Sequence, residues 1–222
     1  MNLLITGASG FIGSNFIKKV MGYNITTLSL KNTVFENIDL SNIDTILHLA
    51  GLAHQMNGAP EEEYFKINTT LTFEFAKYAK ESGVKHFIFI STAKVYGEST
   101  EPGQPFNELS DCKPLDPYGK SKLEAEKKLN TLKSENFNVS IVRIPLVYGA
   151  GVKGNLKSLI SLVNKTSILP LGGIKNKRSM VYVGTLIDFL QSIIDSKKAG
   201  TFIACDNRAL STSELIELIT KL

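Results

Sequence analysis

The chain opens with Met1-Asn2-Leu3-Leu4-Ile5-Thr6-Gly7-Ala8-Ser9-Gly10-Phe11-Ile12-Gly13. Asn2 to Thr6 is a short apolar run ended by glycine, which predicts a buried parallel strand. Gly7, Gly10 and Gly13 form a G-x-x-G-x-x-G loop. Phe16, Ile17, Val20 and Met21 then recur at helical spacing, and Gly22 can close the helix. A strand, a glycine loop and a helix in this order predict a site for a dinucleotide. The turn is tight, a pyrophosphate must approach the backbone, and the helix must pack near the sheet. The helix N-terminus offers N–H groups and partial positive charge to the phosphates.

The alternation continues. Ile25 to Leu30 and Thr45 to Leu49 read as strands, and Glu61 to Glu81 as an amphipathic helix. Lys85 to Ile90 is a strand running into Ser91-Thr92. A Pro/Gly/Asn-rich loop, Gly97 to Pro117, leads to a lysine- and glutamate-rich helix over Tyr118 to Lys133. Val139 to Ile144 is a further strand, stopped by Pro145. This order predicts an α/β fold, a doubly wound parallel sheet of Rossmann type with a small C-terminal lobe. The expected division is a dinucleotide-binding domain over 1–149 and a mostly substrate-binding lobe over 150–222, with some segments interleaved into the core. Ligands of such sheets bind at the carboxyl ends of the strands.

Composition narrows the function classes. The 222 residues are 43% hydrophobic and 21% charged, enough for one large domain. The net charge of +4 comes mostly from scattered lysines, so no nucleic-acid footprint is expected. Cys112 and Cys205 lie far apart in no metal-ligand spacing, which predicts free thiols, no metal and a reducing compartment. No leader-like segment and no run long enough to cross a bilayer is present, so a cytoplasmic protein without membrane insertion is expected.

Tyr118 and Lys122 stand four apart at the start of a helix, so both project from one face. An ammonium beside a phenol favours the phenolate, and the pair is a plausible proton donor and acceptor. At the end of the second strand, where an acidic residue usually binds the NAD ribose, stand Ser29, Leu30 and Lys31. A hydroxyl with a cation nearby suits a 2′-phosphate, so NADP, or both NAD and NADP, is the expected cofactor. Lys31 reads equally well as a plain surface lysine.

The glycine loop, Ser91-Thr92 and Tyr118/Lys122 together resemble the extended short-chain dehydrogenase/reductase superfamily, and within it the NAD-dependent epimerase/dehydratase branch that acts on nucleotide sugars. His48-Leu49-Ala50-Gly51, Val95-Tyr96-Gly97-Glu98 and the run from Arg143 to Gly149 carry the same resemblance. It implies Thr92, Tyr118 and Lys122 as catalytic residues, with Lys122 on the nicotinamide ribose. It implies cofactor contacts from Gly7, Ser9, Gly10, Phe11, Ile12, Gly13, Asp39, Leu40, Leu49, Ala50, Gly51, Asn68, Pro145 and Val147. For a UDP-sugar it implies Lys94, Asn155, Leu169 and Arg178, with Thr92 and Tyr118 on the sugar. A planar guanidinium at Arg178 suits the diphosphate.

The resemblance also implies hydride exchange at sugar C4. Dehydratases carry an Asp-Glu pair after the Ser/Thr, whereas Ala93 and Lys94 stand here, which disfavours dehydration. Residues 91–100, 152–155 and 176–183 resemble bacterial 4-reductases of UDP-4-keto-6-deoxy-N-acetylhexosamines, so a 4-ketoreductase is preferred to a UDP-hexose 4-epimerase. A non-catalytic NADP-binding protein of the same fold is the alternative from another class. Two departures from the family are visible. Only Ser41 to Asp44 separate Asp39-Leu40 from the next strand, where a helix is usual. The helix opened by Ser211 is the last element, where relatives continue, so the lobe is expected to be incomplete. A homodimer through the 61–81 and 118–133 helices is expected by analogy.

Overall fold

The computed structural model describes residues 1–31, 34–53, 59–101, 103–152, 154–165 and 176–221. The chain runs β1 (Asn2–Thr6), α1 (Phe11–Lys19), β2 (Asn24–Leu28), β3 (Thr45–His48), α2 (Glu61–Tyr64), α3 (Thr72–Glu81), β4 (His86–Thr92), α4 (Pro117–Asn130) and β5 (Asn138–Ile144). It continues with β6 (Leu146–Tyr148), α5 (Asn155–Lys165), β7 (Met180–Tyr182), α6 (Val183–Ser196), β8 (Gly200–Ile203) and α7 (Thr212–Ile219). Six strands form one parallel sheet in the order β2-β1-β3-β4-β5-β8, and β6 pairs with β7 apart from it.

The central strands β1, β3, β4 and β5 are buried along nearly their whole length because both sheet faces are covered there. Leu3, Ile5, Leu47, Ile88, Ile90 and Val142 face one core with Phe16 of α1 and Leu186, Leu190 and Ile194 of α6. Leu4, Ile46, Phe87, Phe89 and Ile141 face the other, with Phe75 of α3 and Ala125 and Leu129 of α4. The period-two alternation along each strand thus builds two cores from one sheet. Segment 150–222 serves both parts of the expected division: β8 joins the main sheet and α6 covers its first face.

No helix links β2 to β3 among the described residues; there is only a 3-10 turn, Phe35–Asn37. Apolar side chains do the covering instead. Leu30 and Leu40 are buried in the second core, the Phe35 ring sits 5.6 Å from Phe75, and the Tyr78 hydroxyl donates to the Ile38 carbonyl. The strand order reverses between β1 and β3, which makes that gap the switch point where such sheets bind ligands.

Two histidines are buried neutral. His48 bonds Thr6 Oγ1 and Thr72 Oγ1 through its two ring nitrogens, and burial pushes it down to about 3. His86 bonds Ser140 Oγ at 2.6 Å, and burial pushes it down to about 4. Unfolded histidines take up protons below about 6.5, while these two in the folded chain do not. Stability is therefore full above that pH and falls as pH drops from 6.5 toward 4 and 3. Urea midpoints measured across this window are expected to decline, and His86→Gln, which keeps a polar partner for Ser140, is expected to flatten part of the decline.

Candidate functional site

The glycine loop is closed on its inner side by the chain itself. Gly7 has φ +71°, and a Cβ there would lie 2.7 Å from the Ala50 nitrogen and the Leu49 carbonyl carbon. A Cβ on Gly13 would lie 2.6 Å from the Gly7 carbonyl oxygen. At Gly10 a Cβ would meet only that oxygen, at 3.1 Å, so glycine leaves the remaining space free. Gly10 caps α1 without a side-chain bond, Ser9 is exposed, and Phe11 and Ile12 pack against the first core. A helix start with a bare backbone and a cradle that side chains would fill fits a dinucleotide pyrophosphate.

The loop after β3 completes the opposite wall. Leu49 packs on the first core, the Ala50 N–H donates to the Thr6 hydroxyl oxygen, and a Cβ on Gly51 would lie 3.0 Å from Asn68 Oδ1 and 3.4 Å from Lys122 Nζ. Asn68 is fully buried. Its amide bonds both the N–H and carbonyl of Leu52 and donates to Ser121 Oγ, which ties the loop to α4. Asn68 lies in a π-helical stretch, Phe65–Leu71, between α2 and α3. A widened turn of this kind re-aims side chains and recurs at functional sites. Helical periodicity over 61–81 gives no sign of it.

Thr92 ends β4, and its hydroxyl hydrogen-bonds the Tyr118 phenol. Asp116 caps α4 by accepting the Gly119 N–H at 2.7 Å, with Pro117 in the first turn, so the helix presents Tyr118 at its start. Lys94 pairs with Asp116 and Glu98, so its ammonium anchors the cap of α4. Lys122 is 6% exposed; its Nζ donates to the Ile90 carbonyl at 2.8 Å and lies 4.3 Å from the Phe89 ring centre.

The electrostatics differ from the sequence expectation. Desolvation pushes Tyr118 up to about 12, opposed by the Thr92 hydrogen bond and aided by the Asp116 charge. Desolvation also pushes Lys122 down to about 7, opposed by the Glu126 carboxylate. Lys122 directs its hydrogen bond at the sheet backbone, and burial outweighs any help it gives the phenolate.

The remaining expected contacts are spread more widely. Ser29 and Lys31 are exposed beyond β2, with the Lys31 N–H 3.4 Å from Ser29 Oγ. Asp39 is exposed and accepts the Ser41 N–H, while Leu40 serves the core. Pro145 is half-buried after β5, and Val147 packs on the first core from β6. Arg178 is exposed and bridges Leu210 through its backbone. Asn155 opens α5, its side chain outside the described residues; Leu169, Lys153 and the run 169–172 lie outside them too.

Sequence reasoning missed a buried ion pair. Arg143 grips Glu126 through Nε and Nη2 and donates to the Tyr96 hydroxyl, and Ser91 Oγ donates to Glu126. A charged residue inside the apolar run 139–144 was the available signal, since a buried cation needs a partner.

Fold and site define a Rossmann protein with a glycine cradle that fits a dinucleotide and with Thr92 ending a strand beside Tyr118 and Lys122 on one helix face. The chain belongs to the NAD dependent epimerase/dehydratase family, whose model matches residues 3–203. It is 38% identical to a UDP-glucose 4-epimerase of Vibrio cholerae, over 97% of this chain and 74% of that protein. It is 28% identical to the N-acetyl-alpha-D-glucosaminyl-diphospho-ditrans,octacis-undecaprenol 4-epimerase of Escherichia coli O157:H7, over 90% of this chain and 65% of that one. The chain thus spans about two thirds to three quarters of these curated relatives. UDP-glucuronic acid 4-epimerase from Bacillus cereus, solved with NAD, superposes with a TM-score of 0.85 at 22% identity, covering 100% of this chain and 83% of that one. RMD from Pseudomonas aeruginosa, solved with NADPH, gives 0.83 at 22% identity, covering 100% and 84%. These two establish the fold. No helix among the described residues is long and apolar enough to cross a membrane.

Proposed function

We propose that the chain performs the C4 redox step of a UDP-hexose 4-epimerase. The carrying observation is the Thr92–Tyr118 hydrogen bond, set on the helix that brings Lys122 against Gly51 at the open end of the sheet. The identity of the two curated relatives favours epimerisation over the 4-ketoreduction preferred from the sequence.

Bound nicotinamide would exchange hydride with sugar C4. Tyr118 would hold and move the O4 proton at its phenol oxygen, and Thr92 would orient that oxygen. The Lys122 amine would face the nicotinamide ribose, with Asn68 fixing the Leu52 backbone beside it. Gly7, Gly10 and Gly13 would receive the pyrophosphate on the start of α1. The exposed Arg178 would take the sugar-nucleotide diphosphate, with Asn155 and Leu169 toward the nucleotide. Lys94 would act through Asp116 more than through the substrate, because two carboxylates already hold it.

The 4-ketoreductase reading keeps one observation in its favour: Ser29 and Lys31 are exposed where an acidic residue would reject a 2′-phosphate. The deciding experiment incubates purified protein with UDP-glucose, UDP-N-acetylglucosamine or a UDP-4-keto-6-deoxy-N-acetylhexosamine and with NAD or NADPH, following sugar by NMR and cofactor by absorbance. C4 inversion without net cofactor change is the expected result. Stoichiometric oxidation of NADPH by a 4-keto sugar would establish the reductase instead. Cofactor binding with no turnover of any UDP-sugar would overturn both.

A further inference from the structure

The end of β4 and the start of α4 meet through Lys94. Its N–H donates to Thr92 Oγ1 at 3.2 Å, so Thr92 caps the 3-10 turn Ala93–Tyr96. Its ammonium donates to Asp116 Oδ2, while Asp116 Oδ1 accepts the Gly119 N–H at 2.7 Å. Its carbonyl oxygen would lie 2.9 Å from a Cβ on Gly119, so glycine is what lets turn and helix approach this closely. Tyr118 stands between Asp116 and Gly119, and its phenol hydrogen-bonds Thr92. Thr92, Lys94, Asp116 and Tyr118 thus close a ring of contacts, in which the Thr92–Tyr118 bond is the reactive link.

We propose that Lys94 is a positioning residue for the proton-transfer centre: its backbone orients the Thr92 hydroxyl, its side chain fixes the start of α4, and together they hold Thr92 within hydrogen-bond reach of Tyr118. This rests on the redox reading above. An exposed ion pair within one turn contributes little to any structure, and the bond from Lys94 to the exposed Glu98 at 3.0 Å is of that kind. The bond to Asp116 is different. Both partners are partly buried, and the pair joins two elements that carry the two halves of the site. Glu98 therefore serves as the internal control for Asp116.

The test reads the phenol directly. Protein carrying ¹³Cζ-labelled tyrosine is observed by NMR, with the Tyr118 signal assigned by its loss in Tyr118→Phe. Thr92→Val, which keeps the shape and removes the hydroxyl, marks where the signal lies without the hydrogen bond. In Lys94→Met the signal is expected to move toward that position, and in Lys94→Arg, which still reaches Asp116, to stay near the unaltered one. Asp116→Asn keeps a capping oxygen for the Gly119 N–H but gives up the charged partner, and it is expected to move the signal the same way. The double variant Lys94→Met/Asp116→Asn is expected to move it no further than either single one, because both break the same link. Glu98→Gln is expected to leave it in place. With a turned-over UDP-sugar, Lys94→Met is expected to lower kcat about tenfold while KM holds. An unmoved Tyr118 signal in folded Lys94→Met overturns the proposal. So does a raised KM at unchanged kcat, which would put Lys94 on the substrate. The NMR reading needs no turnover, so a chain that turns over no UDP-sugar would refute the epimerase reading and leave this result standing.

Discussion

Replacing Tyr118 by phenylalanine is expected to lower UDP-sugar turnover about 10³-fold while cofactor affinity changes little. The phenylalanine keeps the ring that lies 6.0 Å from Tyr64 and the packing at the start of α4. What it removes is the phenol oxygen bonded to Thr92. The burial that pushes Tyr118 up to about 12 keeps its proton on at neutral pH, so the residue is poised as an acid. To act as base it needs a cation brought close, and Lys122, about 7, is near its own midpoint at that pH. Turnover should therefore depend on pH around neutrality. Stopped-flow measurement of cofactor reduction, with the cofactor dissociation constant measured alongside, checks this. Unchanged turnover in Tyr118→Phe would remove the pair from the mechanism.

Gly7→Ala is the second large effect. The φ of +71° costs an alanine about 1–2 kcal/mol, and its Cβ would sit 2.7 Å from backbone atoms of Leu49 and Ala50, which cannot rotate away. Overpacking of that kind costs a further 1–3 kcal/mol or so. A fall of about 2–5 kcal/mol in unfolding free energy is expected by urea denaturation, together with loss of cofactor binding. Gly22→Ala is the control. Gly22 has φ +88° but nothing within 4 Å of an added Cβ, so only the backbone strain remains there. Equal losses in the two variants would mean that close approach to the β3 loop is not what requires glycine at position 7.

The legible parts of the molecule share a cause. β1, the glycine loop, α1 and the Tyr118/Lys122 spacing are all set within a few residues, by sterics and helical period. The short β2–β3 crossover was legible too, because only Ser41 to Asp44 separate Asp39-Leu40 from the strand at Thr45, too few for a helix. What escaped depends on distant partners. The π-helical stretch around Asn68 exists because the amide reaches Leu52 and Ser121, 16 and 53 residues away. The roles of α6 and β8 as core elements follow from packing on Phe16 and pairing with β5.

The Arg143–Glu126 pair shows the same limit, joining two positions whose proximity only the sheet creates. The expectation about Lys122 failed for a related reason. Sequence spacing puts a cation near a phenol, but only the tertiary structure sets how far both are withdrawn from water, and here desolvation dominates both groups. By itself the sequence determined the fold class, the glycine cradle and the one-turn spacing of Tyr118 and Lys122, because local geometry dictates these. The tertiary structure alone decided the charge states of that pair and what anchors it, because burial and long-range pairing are properties of the folded chain.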